Sequence, residues 1–220
     1  MAGDTNAPFG MRPLEHWNGS PWNGATRIFC TEDGNDALFI GDPLYRVVND
    51  AKETTGRYLA VDQLATAAGG TVNGVDDQIL GVMVSRAGQS LAAGAGGAPE
   101  LLQSDYVYIP ADTDAALLNV CCDANTVYLI QGDEALTDYT DIGKNTVTYA
   151  ASGSTVTGLS GFTADVSNVA ADASDNLLII GLLDRPDVAV GDTYPLLMVL
   201  VNIGWFAPGG YDPILGTLGV

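Results

Sequence analysis

One histidine, His16, and three cysteines, Cys30, Cys121 and Cys122, are all that this 220-residue chain offers for nucleophilic or zinc chemistry. A Ser-His-Asp or Cys-His set would have to run through His16. That residue stands between Glu15 and Trp17 in a stretch broken by Pro13, Gly19, Pro21 and Gly24. A catalytic base needs rigid support, which such a stretch does not promise. Neither Cys-x-x-Cys nor His-x-x-x-His spacing occurs, so no zinc site is expected. The cysteines read instead as small buried thiols, with Cys121 and Cys122 pointing to opposite faces of one strand.

Oxygen-based chemistry is no better defined. Asp76/Asp77, Asp112/Asp114 and Asp133/Glu134 are adjacent carboxylates, but with 27 acids in the chain adjacency is expected by chance. Acid–base pairs work only when a pocket perturbs them. Asp33-x-Asn35-Asp36 and Asp172-x-x-Asp175-Asn176 offer ligands to a calcium ion, yet neither has the glycine and terminal glutamate of a calcium loop. They would hold a weak structural ion at most. The glycines of Ala92–Pro99 are followed by no lysine, which excludes a phosphate loop. The expectation is a chain with no catalytic residues, no metal and no cofactor.

Charge narrows the partners. Eight basic residues against 27 acidic ones give a net charge of −19. That balance disfavours nucleic acid, which requires a basic footprint, and anionic membrane surfaces for the same reason. Charged residues make up 16% of the chain, against about 25% in an ordinary soluble domain. A low charge share beside 47% hydrophobic residues suggests a surface largely covered by neighbours or rich in Ser, Thr, Asn and Gly. The first residues lack a basic region followed by an apolar run, and no segment reaches the ~18 apolar residues of a membrane span. Synthesis in the cytoplasm is expected.

The elements that must carry these residues read as strands. Leu177–Leu183 and Leu196–Val201 are apolar runs of strand length, joined by Asp184, Arg185, Pro186, Asp187, Gly191 and Asp192. They are expected to pair as adjacent antiparallel strands with both faces covered. Arg27–Cys30, Ala37–Ile40, Leu44–Val48, Tyr58–Val61, Ile79–Ser85, Asp105–Ile109, Leu117–Cys121 and Thr126–Gln131 continue the pattern. Val61–Ala68 has the makings of a short helical turn, and Gly158–Asp175 reads as a long surface loop. Strands every eight to twelve residues or so, with no sustained helical period, point to an all-β barrel or sandwich with long Gly/Ser/Thr-rich loops.

Three regions follow: an extended N-terminal arm over 1–26, a β-rich domain over 27–205 and a Gly/Pro-rich tail over 206–220. The arm carries Phe9, Met11, Leu14, Trp17 and Trp22 on a breaker-rich backbone. Such a segment docks its aromatics either on another protein or back on its own domain. Trp205 closes the last strand, and the 196–205 run is the better candidate for packing against a second copy or a larger assembly.

Several motifs in order resemble the capsid decoration, or cement, proteins of tailed bacteriophages. They are Phe9-Gly10-Met11-Arg12-Pro13, Asn18-Gly19-Ser20-Pro21-Trp22-Asn23-Gly24-Ala25-Thr26, Phe39-Ile40-Gly41-Asp42-Pro43, Ile79-Leu80-Gly81-Val82 and Leu182-Leu183-Asp184-Arg185-Pro186-Asp187. The resemblance implies a compact β-domain, often a homotrimer, on the outer capsid surface of the virion, clamping adjacent copies of the major capsid protein. The contacts to capsid or to other copies would then fall on Phe9, Arg12, Leu14, Trp17, Trp22 and Trp205. A carbohydrate- or receptor-binding module of the virion is the alternative, and a β-sandwich hydrolase a distant third.

Overall fold

The structure, a computed structural model, describes residues 5–31, 35–47, 58–64, 71–72, 78–90, 107–111, 116–171 and 175–202. It is all-β, and the described residues contain no α-helix. Strands β1 (Arg12–His16), β2 (Arg27–Thr31), β3 (Pro43–Arg46), β4 (Ala60–Gln63), β5 (Thr71–Val72), β6 (Gly81–Ser90) and β7 (Ala116–Cys121) come first. Then follow β8 (Thr126–Gln131), β9 (Asn145–Thr146), β10 (Thr148–Tyr149), β11 (Thr163–Ala164), β12 (Leu177–Leu182) and β13 (Leu196–Val201).

Five strands close a barrel in the order β2-β4-β3-β6-β7, with β2 and β4 parallel and the other pairs antiparallel. A second, five-stranded antiparallel sheet runs β1-β8-β13-β12-β9. β5, β10 and β11 make a small third sheet. Phe29, Leu38, Leu44, Val61, Leu80, Met83, Leu118 and Val120 pack together as the barrel's cluster. The larger cluster joins barrel to sheet: Val82 and Cys121 from the barrel meet Tyr128, Ile130, Leu177, Ile179, Leu197 and Val199.

The β12–β13 pair forms as the apolar runs predict, Leu177 opposite Val201 and Leu182 opposite Leu197. A shift between Ile179 and Gly181 marks a bulge, which glycine tolerates. Burial alternates along β12: Leu177, Ile179 and Gly181 are buried, while Leu178, Ile180 and Leu182 are half-buried. One face is core and the other is only partly covered.

β1 shows where residues 5–26 dock. It pairs with β8, Arg12 opposite Leu129 and His16 opposite Thr126, and Met11 is buried in the joining cluster. Of the two destinations open to the arm, the described part takes its own domain. The Phe9-Gly10 and Gly41-Asp42 motifs interlock in the same place. Met11 N–H donates to Gly41 O at 2.8 Å. A Cβ on Gly10 would lie 2.3 Å from Gly41 O, and one on Gly41 2.4 Å from Phe9 O. Both glycines also hold positive φ, +70° and +100°. The motifs are a packing joint.

Some expectations need correction. The first part of the 158–175 segment is not a surface loop: Ser160 and Phe162 are fully buried, and 163–164 form β11, whereas Ser167, Asn168, Ala170 and Ala171 are exposed and 172–174 lie outside the described residues. Its small residues permit close approach, since a Cβ on Gly158 would lie 2.4 Å from Val107 O and one on Gly161 2.5 Å from Ser152 O. Ala37–Ile40 makes single bridges at Leu38 and Ile40 instead of a ladder. The helical turn proposed from Val61 is strand through Gln63, and residues 65–68 lie outside the described residues. So do Asp105 and Tyr106 of the expected 105–109 strand, Trp205, and the 206–220 tail.

Candidate functional site

The turn after β7 and the turn after β1 come together. Cys122–Asn125 is shaped by its Asp and Asn: Asn125 N–H donates to Asp123 Oδ1 at 3.0 Å, and Thr126 N–H to Asp123 O at 3.1 Å. The Asn-Gly pairs of the 18–26 motif work the same way. Asn18 Oδ1 accepts from the Ser20 N–H and hydroxyl at 3.0 and 2.7 Å, and Asn23 Oδ1 from Ala25 N–H at 3.0 Å. Gly19 and Gly24 supply positive φ. His16 N–H to Ser20 O and Gly19 N–H to His16 O, both 2.8 Å, close the first turn, and the antiparallel bridge of Glu15 to Pro21 makes it the β1 hairpin.

Two contacts pin this turn to the other. Trp17 N–H donates to Asn125 O at 2.7 Å, and His16 Nδ1 lies 3.2 Å from Asp123 Oδ2. Trp17 is thereby held in place at its backbone while its side chain is 61% exposed. Beside it an open cleft of about 430 Å³ lies between Ala25–Arg27 and Cys122–Asn125. Ile28, 45% exposed, follows directly on β2.

A histidine, a carboxylate and a thiol thus come close together, a juxtaposition that sequence spacing did not announce. Their arrangement does not make a Cys-His-Asp set. No hydrogen bond joins Cys122 to His16 among the described residues. Burial pushes the Cys122 thiol above its ordinary value, opposed by the Arg27 guanidinium, so the reactive thiolate is disfavoured. His16 instead bridges the β1 hairpin to the Asp123 turn. Among the described residues, no group of three or more His, Cys, Asp or Glu is placed to hold a metal.

The residues singled out for contact fall into four sets. Leu14, 36% exposed, and Trp17 present apolar surface on β1 and its turn. Phe9 is half-buried under the exposed Arg12, whose guanidinium lies 4.7 Å from the ring centre. Trp22 turns inward, packing on the joining cluster, and its indole N–H is buried without a partner among the described residues. Trp205 lies outside the described residues. Ile28 was missed because one apolar residue at the start of a strand carries no signal of its exposure. Set against known protein families, curated proteins and solved structures, the chain matches none.

Proposed function

We propose that this chain is a non-enzymatic structural protein of a tailed-phage virion, binding the outer surface of the capsid lattice and clamping adjacent major capsid proteins. The observation that carries the reading is Trp17: a largely exposed indole on a turn fixed by hydrogen bonds, with Leu14 on the adjoining β1 exposed as well. Large aromatics held rigid beforehand are the usual centres of protein interfaces, each contributing about 2 kcal/mol or more when buried. The net charge of −19 suits an outer position and a basic docking patch. Homotrimer formation would add avidity to weak single contacts.

Co-sedimentation with empty expanded capsids tests the proposal. Trp17→Ala should lower occupancy at least tenfold, the equivalent of about 1.4 kcal/mol or more, with the circular dichroism of the β-domain unchanged. Unaltered occupancy would remove the hairpin from the interface. Trp22→Ala is unsuitable as a partner substitution, because it also removes core packing. An exposed indole whose backbone is bonded to Asn125, a lining residue of the open cleft, favours, second, a glycan-binding module; glycan-array binding without capsid affinity would select it.

A further inference from the structure

Asp42 lies where four separate pieces of chain meet. Its carboxyl is fully buried. Oδ2 accepts from Phe39 N–H at 2.7 Å within its own turn and from Gln63 Nε2 at 2.8 Å on β4. Oδ1 is buried and has no hydrogen-bond partner among the described residues. Gly41, its neighbour in sequence, accepts from Met11 N–H and donates its own N–H to Met83 O. Ser160, from the segment before β11, wedges against Gly10, where a Cβ would lie 2.4 Å from Ser160 Cβ. The carboxyl therefore sits beneath the joint that ties residues 9–11 to the barrel.

Among the described residues, the groups acting on this carboxyl are the Ser160 hydroxyl, the Phe39 amide and the Gln63 carboxamide, all neutral. Asp62, the titratable group next to Gln63 on β4, directs Oδ1 to the N–H groups of Asp36 and Gln63. By distance and angle Asp42 Oδ1 stays unpaired, so the Ser160 hydroxyl assists the charged form only as a nearby dipole. Burial outweighs all three and raises the carboxyl from its ordinary 3.8 to about 7. A bare, buried carboxylate oxygen is costly, and opening the local structure to water relieves it.

We propose that Asp42 is a proton-operated latch: protonated, it holds residues 9–11 on the 39–42 turn, and ionised, it loosens that joint ahead of the rest of the fold. The latch is independent of what the β1 hairpin binds. Amide hydrogen exchange on the full chain, expressed as protection over the intrinsic rate, tests it between about pH 5.5 and about pH 8.5. Protection at Met11, Phe39 and Gly41 should fall about tenfold or more beyond any fall at Leu197 and Val199 as pH rises. Asp42→Asn should abolish the difference. A uniform loss across the chain, no loss, or the same loss in Asp42→Asn would overturn the proposal. Should Asp42→Asn not fold, Gln63→Ala decides: removing the Nε2 donor 2.8 Å from Oδ2 takes away a stabiliser of the charged form and moves the transition to higher pH, and an unmoved or lowered midpoint refutes the latch.

Discussion

Buried polar groups in this protein differ in how completely they are matched, and Asp42 and Tyr128 mark the range. The Tyr128 hydroxyl donates into the preceding strand, 3.2 Å from Cys121 O and 3.3 Å from its Sγ. Burial keeps that phenol neutral, well above its ordinary value, so the group is satisfied in its only relevant state. Asp42 has two accessible states, and the fold prefers the protonated one. Because its folded value of about 7 exceeds the ordinary 3.8, the native state holds a proton that the unfolded chain releases. Its stabilising contribution is complete below pH 3.8, falls as pH rises through the interval to about 7, and is gone above it. Integrated over that interval, the loss is on the order of 4 kcal/mol. Urea midpoints measured across this range should drop in the wild type and flatten in Asp42→Asn. A rising midpoint would place the dominant titration on other carboxylates.

Strand β12 lets two isoleucines side by side separate core from cover. Ile179 is fully buried in the cluster joining sheet and barrel, whereas Ile180 is half-buried on the opposite face. Ile179→Ala should cost about 3 kcal/mol, and Ile180→Ala about 1 kcal/mol or less, in the unfolding free energy from urea titration. Equal losses would mean that the outer face is packed as tightly as the inner one. This hairpin was legible because its apolar runs carry their own boundaries in Asp184, Pro186 and Gly191. β8 was legible for the same reason. β1 was not, because Arg12–His16 pairs with residues more than a hundred positions away and has no local periodicity of its own. The 158–175 segment misled in the opposite direction: Gly158, Ser160 and Gly161 look like solvent-facing loop residues, yet they are small because other backbone lies against them. At the hairpin tip the Asn-Gly turns could be read from sequence, but their meeting with Cys122–Asn125 could not.

For the molecule as a whole, electrostatics and topology set separate demands. A net charge of −19 makes the compact state repel itself, since ion pairs such as Lys144–Asp141 and Arg185–Asp187 are local and at least partly exposed. Screening should relieve this: raising sodium chloride from about 0.02 M to about 0.5 M is expected to lift the thermal midpoint by a few degrees. A midpoint that falls with salt would show that attractive surface pairs prevail.

The pairing of β1 with β8 also sets an order of birth. All five barrel strands lie between Arg27 and Cys121, so the barrel can close while later residues are still being made. β1 leaves the ribosome first, yet its neighbour ends at Gln131, and that neighbour in turn flanks β13, ending at Val201. The β1 segment must wait as an unpaired edge until β8 has been made. Long-range pairing of this kind slows folding and exposes strands to misassociation. Within β1, Pro13 and the charges of Arg12 and Glu15 guard that edge during the wait.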